Sequence, residues 1–169
     1  FLQAEGQAGK LSAIYVDHQT QSKSKEWLEH CASFCAEHSI AFETQSVEIK
    51  QTGQGFEAAA RLARQNIFSA YARGTAIVLG HHMDDQVETV LFRVLRGTGL
   101  KGLAGIQRHV AHNGKDLIRP LLHVSKQEII ELMQELGLDF IEDDSNNDNN
   151  YSRNFLRNKV INSALPLRS

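Results

Sequence analysis

Apolar runs alternate along this chain with segments whose apolar residues recur every three to four positions, the pattern of strand and helix units joined in a parallel sheet. Lys10 to His18 (KLSAIYVDH) reads as a buried strand, and after a polar start near Ser22 and Ser24 a helix runs to about His38. Ile40 to Ile49 alternates as a second strand, and after the turn QTGQG the Ala-rich stretch Phe56 to Arg73 reads as a helix that Gly74 ends. Thr75 to Gly80 (TAIVLG) is the clearest buried strand of the set, followed by a helix from about Asp84 to Arg96 and a Gly-rich stretch from Gly97 to Gly105. His109 to His123 reads as an irregular strand or a hairpin turning at Asn113-Gly114, with Arg119-Pro120 closing it. Ser125 to Leu136 is helical, with Ser125 as N-cap and Glu128 completing a capping box. The Asn-rich turn EDDSNNDNN then leads to a last helix from about Tyr151. The fold class expected is therefore α/β.

Composition narrows this picture only slightly. The 169 residues fit one domain of about 100–200 residues with a sizeable core. At 41% hydrophobic and 22% charged, with a net charge of −2, the chain is expected to be an ordinary cytoplasmic globular protein with no membrane span. The near-neutral balance excludes a generally basic coat but hides a local bias: from Arg61 to Lys126 there are ten Lys or Arg against four acids. Cys31 and Cys35 lie four apart on a helix, which is not the CxxC spacing of redox or metal motifs, and they read as a structural pair of half-buried thiols.

The densest chemistry is His81-His82-Met83-Asp84-Asp85-Gln86-Val87-Glu88-Thr89, where a strand ends and a helix opens. In open α/β sheets the ligand crevice lies at that end of the strands. Asp84, Asp85 and Glu88 fall three and four apart, so their carboxylates can project from one end of the helix to hold Mg²⁺ or receive a cationic amine. The plainer reading makes Asp85 the N-cap and Glu88 its capping-box partner, which leaves the two histidines unexplained. Gly97-Thr98-Gly99-Leu100-Lys101-Gly102 matches G-x-G-x-x-G but follows a helix, so it is not a dinucleotide motif. A mobile loop carrying Lys101 beside Arg93 and Arg96, closing on phosphates or an RNA backbone, competes there with a plain connector. Glu57, Arg61 and Arg64 share a helical stripe, and Arg153 and Arg157 flank Asn154; both sets suit phosphate contact or a solvated face. Asp17 and His18 end the first strand at the same sheet edge.

Four separated blocks together resemble one family. LGHHMDDQVETVLFRVLRGTGLKGLAGI (79 to 106) is similar to the signature region of the bacterial tRNA(Ile)-lysidine synthetases, which are PP-loop ATP pyrophosphatases. IRPLLHVSKQEI (118 to 129) and IEDDSNNDNNYSRNFLRNKV (141 to 160) resemble its later blocks in the same order. FEAAARLARQNIF (56 to 68) resembles its Glu-Ala-x-x-Arg helix, although Gln65-Asn66 replace the aromatic residue usual after the second Arg. The resemblance implies a Rossmann-like, twisted, mostly parallel sheet with helices on both faces. It also implies an ATP- and Mg²⁺-dependent RNA modification. The wobble cytidine of an isoleucine tRNA with a CAU anticodon is adenylated at its C2 oxygen, and free L-lysine then displaces AMP to give lysidine.

Carried over by motif position, Asp84, Asp85 and Glu88 would recognise the lysine amines or Mg²⁺, with His81 and His82 lining the same pocket. Arg61 and Arg64 would neutralise phosphate; Arg93, Arg96, Lys101, Arg153, Asn154 and Arg157 would approach nucleotide or tRNA; Asp17 and His18 would lie on the ATP side. The family's Ser-Gly-Gly-x-Asp-Ser loop is absent, and so is an initiator Met, so the expectation is a catalytic domain over 1–169 without its first strand and ATP loop, either part of a longer enzyme or a truncated product that binds ATP poorly. C-terminal tRNA-binding domains and a homodimer would belong to the full-length protein. Other readings are a PP-loop enzyme with a different acceptor, a metal-dependent phosphoesterase built on His81, His82, Asp84 and Asp85, and a non-catalytic RNA-binding fragment.

Overall fold

A computed structural model of the chain describes residues 10–17, 23–47, 56–143 and 152–161; of residues 56–58, 101, 152 and 153 it describes the backbone alone. Two compact units emerge, Phe1–Tyr71 and Ala72–Ser169.

The first unit holds β1 (Ser12–Asp17), α1 (Ser24–Glu37), β2 (Ala41–Ser46) and α2 (Phe56–Ala70). β1 and β2 pair in parallel, from Ser12 opposite Ala41 to Asp17 opposite Ser46. Parallel neighbours need a crossover, and α1 supplies it, burying Cys35. Ser39, at φ 54°, ends that helix in the left-handed region. Ala60 and Ile67, seven apart on α2, are buried, two turns of one apolar stripe. The Tyr71 hydroxyl just beyond α2 donates to Glu43 Oε2 on β2 at 3.0 Å. Burial raises the pKa of Cys31 and the neighbouring Cys35 raises it further, so neither spacing nor electrostatics favours a thiolate there.

The second unit holds β3 (Ala76–Val78), α3 (Met83–Leu95), α4 (Leu100–Leu103), β4 (His109–His112), β5 (Lys115–Ile118), α5 (Lys126–Glu135) and α6 (Ser152–Phe155), which continues into a π-helical segment, Leu156–Ile161. The sheet runs β3-β5-β4, parallel between β3 and β5 and antiparallel across the hairpin. The expected hairpin turn is present, with Asn113 at φ 52° and Gly114 at φ 75°. Two positive φ angles make the primed turn whose twist matches paired strands. Thr75 to Gly80 departs from expectation. Only three of its residues are strand, and Val78 is 59% exposed. Among the described residues β3 pairs with β5.

Polar ties of two kinds act on the helices of this unit. At the start of α5 the Ser125 backbone N–H and hydroxyl both donate to Glu128 Oε2, at 2.8 and 2.6 Å, and the Glu128 N–H returns a bond to Ser125 Oγ. These bonds hold the Glu128 carboxyl below its ordinary value. The other tie is interior: Arg157 Nε, on the π-helical segment, donates to Glu88 Oε1 on α3 at 2.5 Å. The Glu88 side chain is 1% exposed and that of Arg157 25%. A carboxylate so buried is tolerable only with a cation against it.

Arg157→Ala should therefore lower the unfolding free energy by roughly 3–5 kcal/mol in urea titrations, because it strands a buried charge, and Glu88→Gln should cost clearly less. Equal losses would show that stranded charge is not the source. Ser125→Ala should cost about 1 kcal/mol near neutral pH. The Glu128 carboxyl is lowered in the fold, so its contribution is complete above the ordinary glutamate value of 4.5 and disappears as pH falls through the lower folded value. The penalty of Ser125→Ala should accordingly shrink when the titration is repeated in acid.

Candidate functional site

The cluster predicted to carry the chemistry sits where β3 gives way to α3. Leu79 N–H bonds to Ile118 O at 2.9 Å, prolonging the parallel pairing by one residue, and the chain then turns through His81 and His82 into the helix. Helix α3 starts earlier than the capping reading expects. His82 is the N-cap residue, and Asp85, at the third helical position, accepts its backbone N–H through Oδ2 at 2.9 Å. His82 is not a usual capping residue, which is why the sequence favours Asp85 for that place.

Asp84 does something the spacing does not disclose. Its Oδ2 accepts the backbone N–H of Lys126, the first residue of α5, at 2.7 Å, while Met83 N–H donates to Val124 O at 2.8 Å. The first turns of α3 and α5 are thus hooked together. Between the two aspartates lies the His82 ring, with Nδ1 3.3 Å from Asp84 Oδ2 and Nε2 3.5 Å from Asp85 Oδ2. These are ion-pair distances, attractive when the imidazole is protonated.

Exposure is graded across the three acids: 45% for the Asp84 side chain, 19% for Asp85 and 1% for Glu88. Asp84 and Asp85 can therefore meet a cationic ligand directly, their charge offset in part by the helix N-terminus. Glu88 faces Arg157, which departs from the expectation of a carboxylate open to a ligand and a guanidinium open to RNA. Among the described residues no group of three or more His, Cys, Asp or Glu is arranged to hold a metal ion. A resident catalytic metal of the phosphoesterase kind, which needs such a set, has no support there. Mg²⁺ arriving with phosphate oxygens needs only one or two carboxylates, and Asp84 with Asp85 meets that lesser requirement.

The basic residues divide in a way spacing could not predict. Arg93 was expected to face phosphate, yet its Nη1 donates inward to Gly102 O at 3.0 Å and to Gly105 O at 2.9 Å. Arg96 is exposed, its guanidinium 4.3 Å from the centre of the Phe92 ring. Lys101 lies on α4, so the Gly-rich stretch carries a helical turn where a mobile loop was expected. Asn154 lies on α6 and is half-buried; Arg153 is on the same helix. Arg61 and Arg64, both exposed on α2, and Asp17, at the end of β1, belong to the first unit. His18 lies outside the described residues. Sequence reasoning missed Gln86, whose amide bonds to Ile106 in both directions, Nε2 to O at 3.2 Å and Oε1 from N–H at 2.5 Å.

The sequence profile of the PP-loop domain matches residues 2–164. The tRNA(Ile)-lysidine synthase of Pseudomonas fluorescens is 42% identical over 152 residues, covering 89% of this chain and 34% of that protein. The corresponding synthase of Francisella tularensis subsp. novicida is 39% identical over 155 residues, 89% of this chain and 39% of that protein. The chain thus spans only between a third and two fifths of these relatives. Among solved structures, the U34-tRNA thiolase NcsA of Methanococcus maripaludis, with its 4Fe-4S cluster, superposes with a TM-score of 0.60. It covers 78% of this chain and 48% of that one at 20% identity, a likeness of fold. Profile and superposition bear out the α/β, Rossmann-like reading, and no helix among the described residues is long and apolar enough to cross a membrane. With the match running across nearly the whole sequence, the chain belongs to the PP-loop domain family.

Proposed function

We propose that this chain is catalytic-domain sequence of a tRNA(Ile)-lysidine synthase, joining L-lysine to C2 of the wobble cytidine of an isoleucine tRNA with a CAU anticodon. The observation that carries the reading is the acidic start of α3, hooked to α5 beside two histidines, in a chain about 40% identical to synthases of that name. The reaction has two steps. The C2 oxygen of cytidine attacks the α-phosphorus of ATP and pyrophosphate leaves. A lysine amine, having lost its proton, then adds at C2, and the C2–O bond breaks as AMP departs.

Asp84 and Asp85 suit the amine step. Each uses Oδ2 for its tie within the fold, which leaves Oδ1 to receive an ammonium group. A carboxylate bond to such a cation is charge-assisted and stronger than a neutral one. His82, at ion-pair distance from both, is placed to share the proton that the amine releases; His81 lines the same turn. Glu88 acts through Arg157, holding the guanidinium so that Arg157 and its neighbours Asn154 and Arg153 approach the nucleotide. Mg²⁺ would accompany the ATP phosphates, with Asp84 and Asp85 as its carboxylates on this chain, and would supply charge neutralisation there. Arg61 and Arg64, exposed on α2, suit phosphate, and Arg96 and Lys101 suit the tRNA backbone. Asp17 and His18 are assigned to the ATP side. The setting is the cytoplasm, and the complete protein works as a homodimer.

The complete protein should release AMP and pyrophosphate only when ATP, lysine and the CAU-anticodon tRNA are all present. Equal turnover with cysteine or ammonia in place of lysine would overturn the assignment, and tRNA binding without ATP or lysine binding would favour a non-catalytic RNA module. Asp85→Asn keeps an acceptor for the His82 N–H but removes the charge. It should reduce kcat/KM for lysine by roughly 10–100-fold with little change in melting temperature. A large fall in melting temperature with normal turnover would reduce Asp85 to a cap.

A further inference from the structure

The stretch from Gly97 to Gly105 is rich in the residue that loses most freedom on ordering. Here it is ordered against α3 by two side chains seven positions apart on that helix. Gln86 clasps the peptide of Ile106 from both sides, and Arg93 spans the carbonyls of Gly102 and Gly105 with a single nitrogen. The contact is close. A Cβ added at Gly105, which stands at φ +64°, would lie 2.6 Å from both polar atoms of the Gln86 amide. At Gly102 an added Cβ would run into the Thr98 side chain. The segment also returns to the catalytic end of the helix, because Gln86 follows Asp85 directly in the first turn of α3.

We infer that Gln86 and Arg93 are positioning residues that staple the 97–106 segment along α3 before substrate arrives, making it a fixed wall of the tRNA-binding surface. Arg93 spends its charge on carbonyls of its own chain, and charge-assisted bonds of that kind are stronger than neutral ones. Ordering the segment in advance removes a cost that RNA binding would otherwise have to meet. The contribution to substrate rests on the lysidine-forming reading; the staple itself does not.

The test uses Gln86→Ala and Gln86→Met, the second keeping side-chain bulk while losing both bonds, together with Arg93→Lys. Hydrogen exchange at the Ile106 amide should accelerate by about tenfold or more in both Gln86 variants. Exchange at the capped Glu128 amide should be unchanged. In the complete protein KM for tRNA should rise by about tenfold while KM for lysine and kcat stay within about twofold. Arg93→Lys, which reaches one carbonyl in place of two, should give an intermediate value. Unchanged Ile106 exchange would overturn the staple. Faster exchange with an unaltered KM for tRNA, or a uniform loss of kcat, would overturn the positioning role. If the wild-type protein makes no lysidine, the functional reading fails and the tRNA half of the inference fails with it, whereas the exchange measurement still decides the staple.

Discussion

A carboxylate cannot be taken out of water unless a cation or several donors replace the water, and among the described residues Glu88 is the carboxylate almost wholly withdrawn. Its position on α3 fixes where Arg157 must come, and therefore how the π-helical segment lies against that helix. The wider turn of a π-helix changes the direction in which successive side chains point, and such turns are common at functional sites. One buried ion pair thus determines which residues of the last helical segment face α3. Further ties leave the same helix: Asp85 closes the N-terminus, Asp84 hooks α5, and Gln86 and Arg93 hold the Gly-rich segment.

The proposed functional duties consequently fall on side chains that already have structural ones. Asp84 and Asp85 each place one oxygen in the scaffold, so their orientation is fixed before a ligand comes. A site assembled in this way gains rigidity from hydrogen bonds it needs for folding in any case. The same overlap explains why a purely capping account of the acidic cluster and a purely catalytic one both look adequate when only spacing is considered.

What the sequence discloses and what it hides divide along the range of the interaction. The Ser125 and Glu128 box and the Asn113-Gly114 turn involve neighbours within four residues, and both stand where the sequence puts them. The order of strands and helices is legible for a related reason, since hydrophobic periodicity is itself local. By contrast, the inward turn of Arg93 depends on carbonyls nine and twelve residues away, and the hook from Asp84 to Lys126 spans 42. No spacing rule distinguishes an arginine that meets phosphate from one that meets its own backbone. The 59% exposure of Val78 is likewise not readable from an apolar run, which reports only what a strand tolerates. Resemblance to a family assigns each residue of the α3 start a single role, whereas the fold already gives Asp84 and Asp85 structural bonds of their own.

The close approach of Gly105 to Gln86 has a consequence for how such sequences diverge. A side chain at position 105 is excluded while the glutamine amide occupies that space, and a shorter residue at position 86 would abandon the Ile106 peptide that the glycine lets it reach. A change at either position is therefore felt at the other, even though nineteen positions separate them in the sequence.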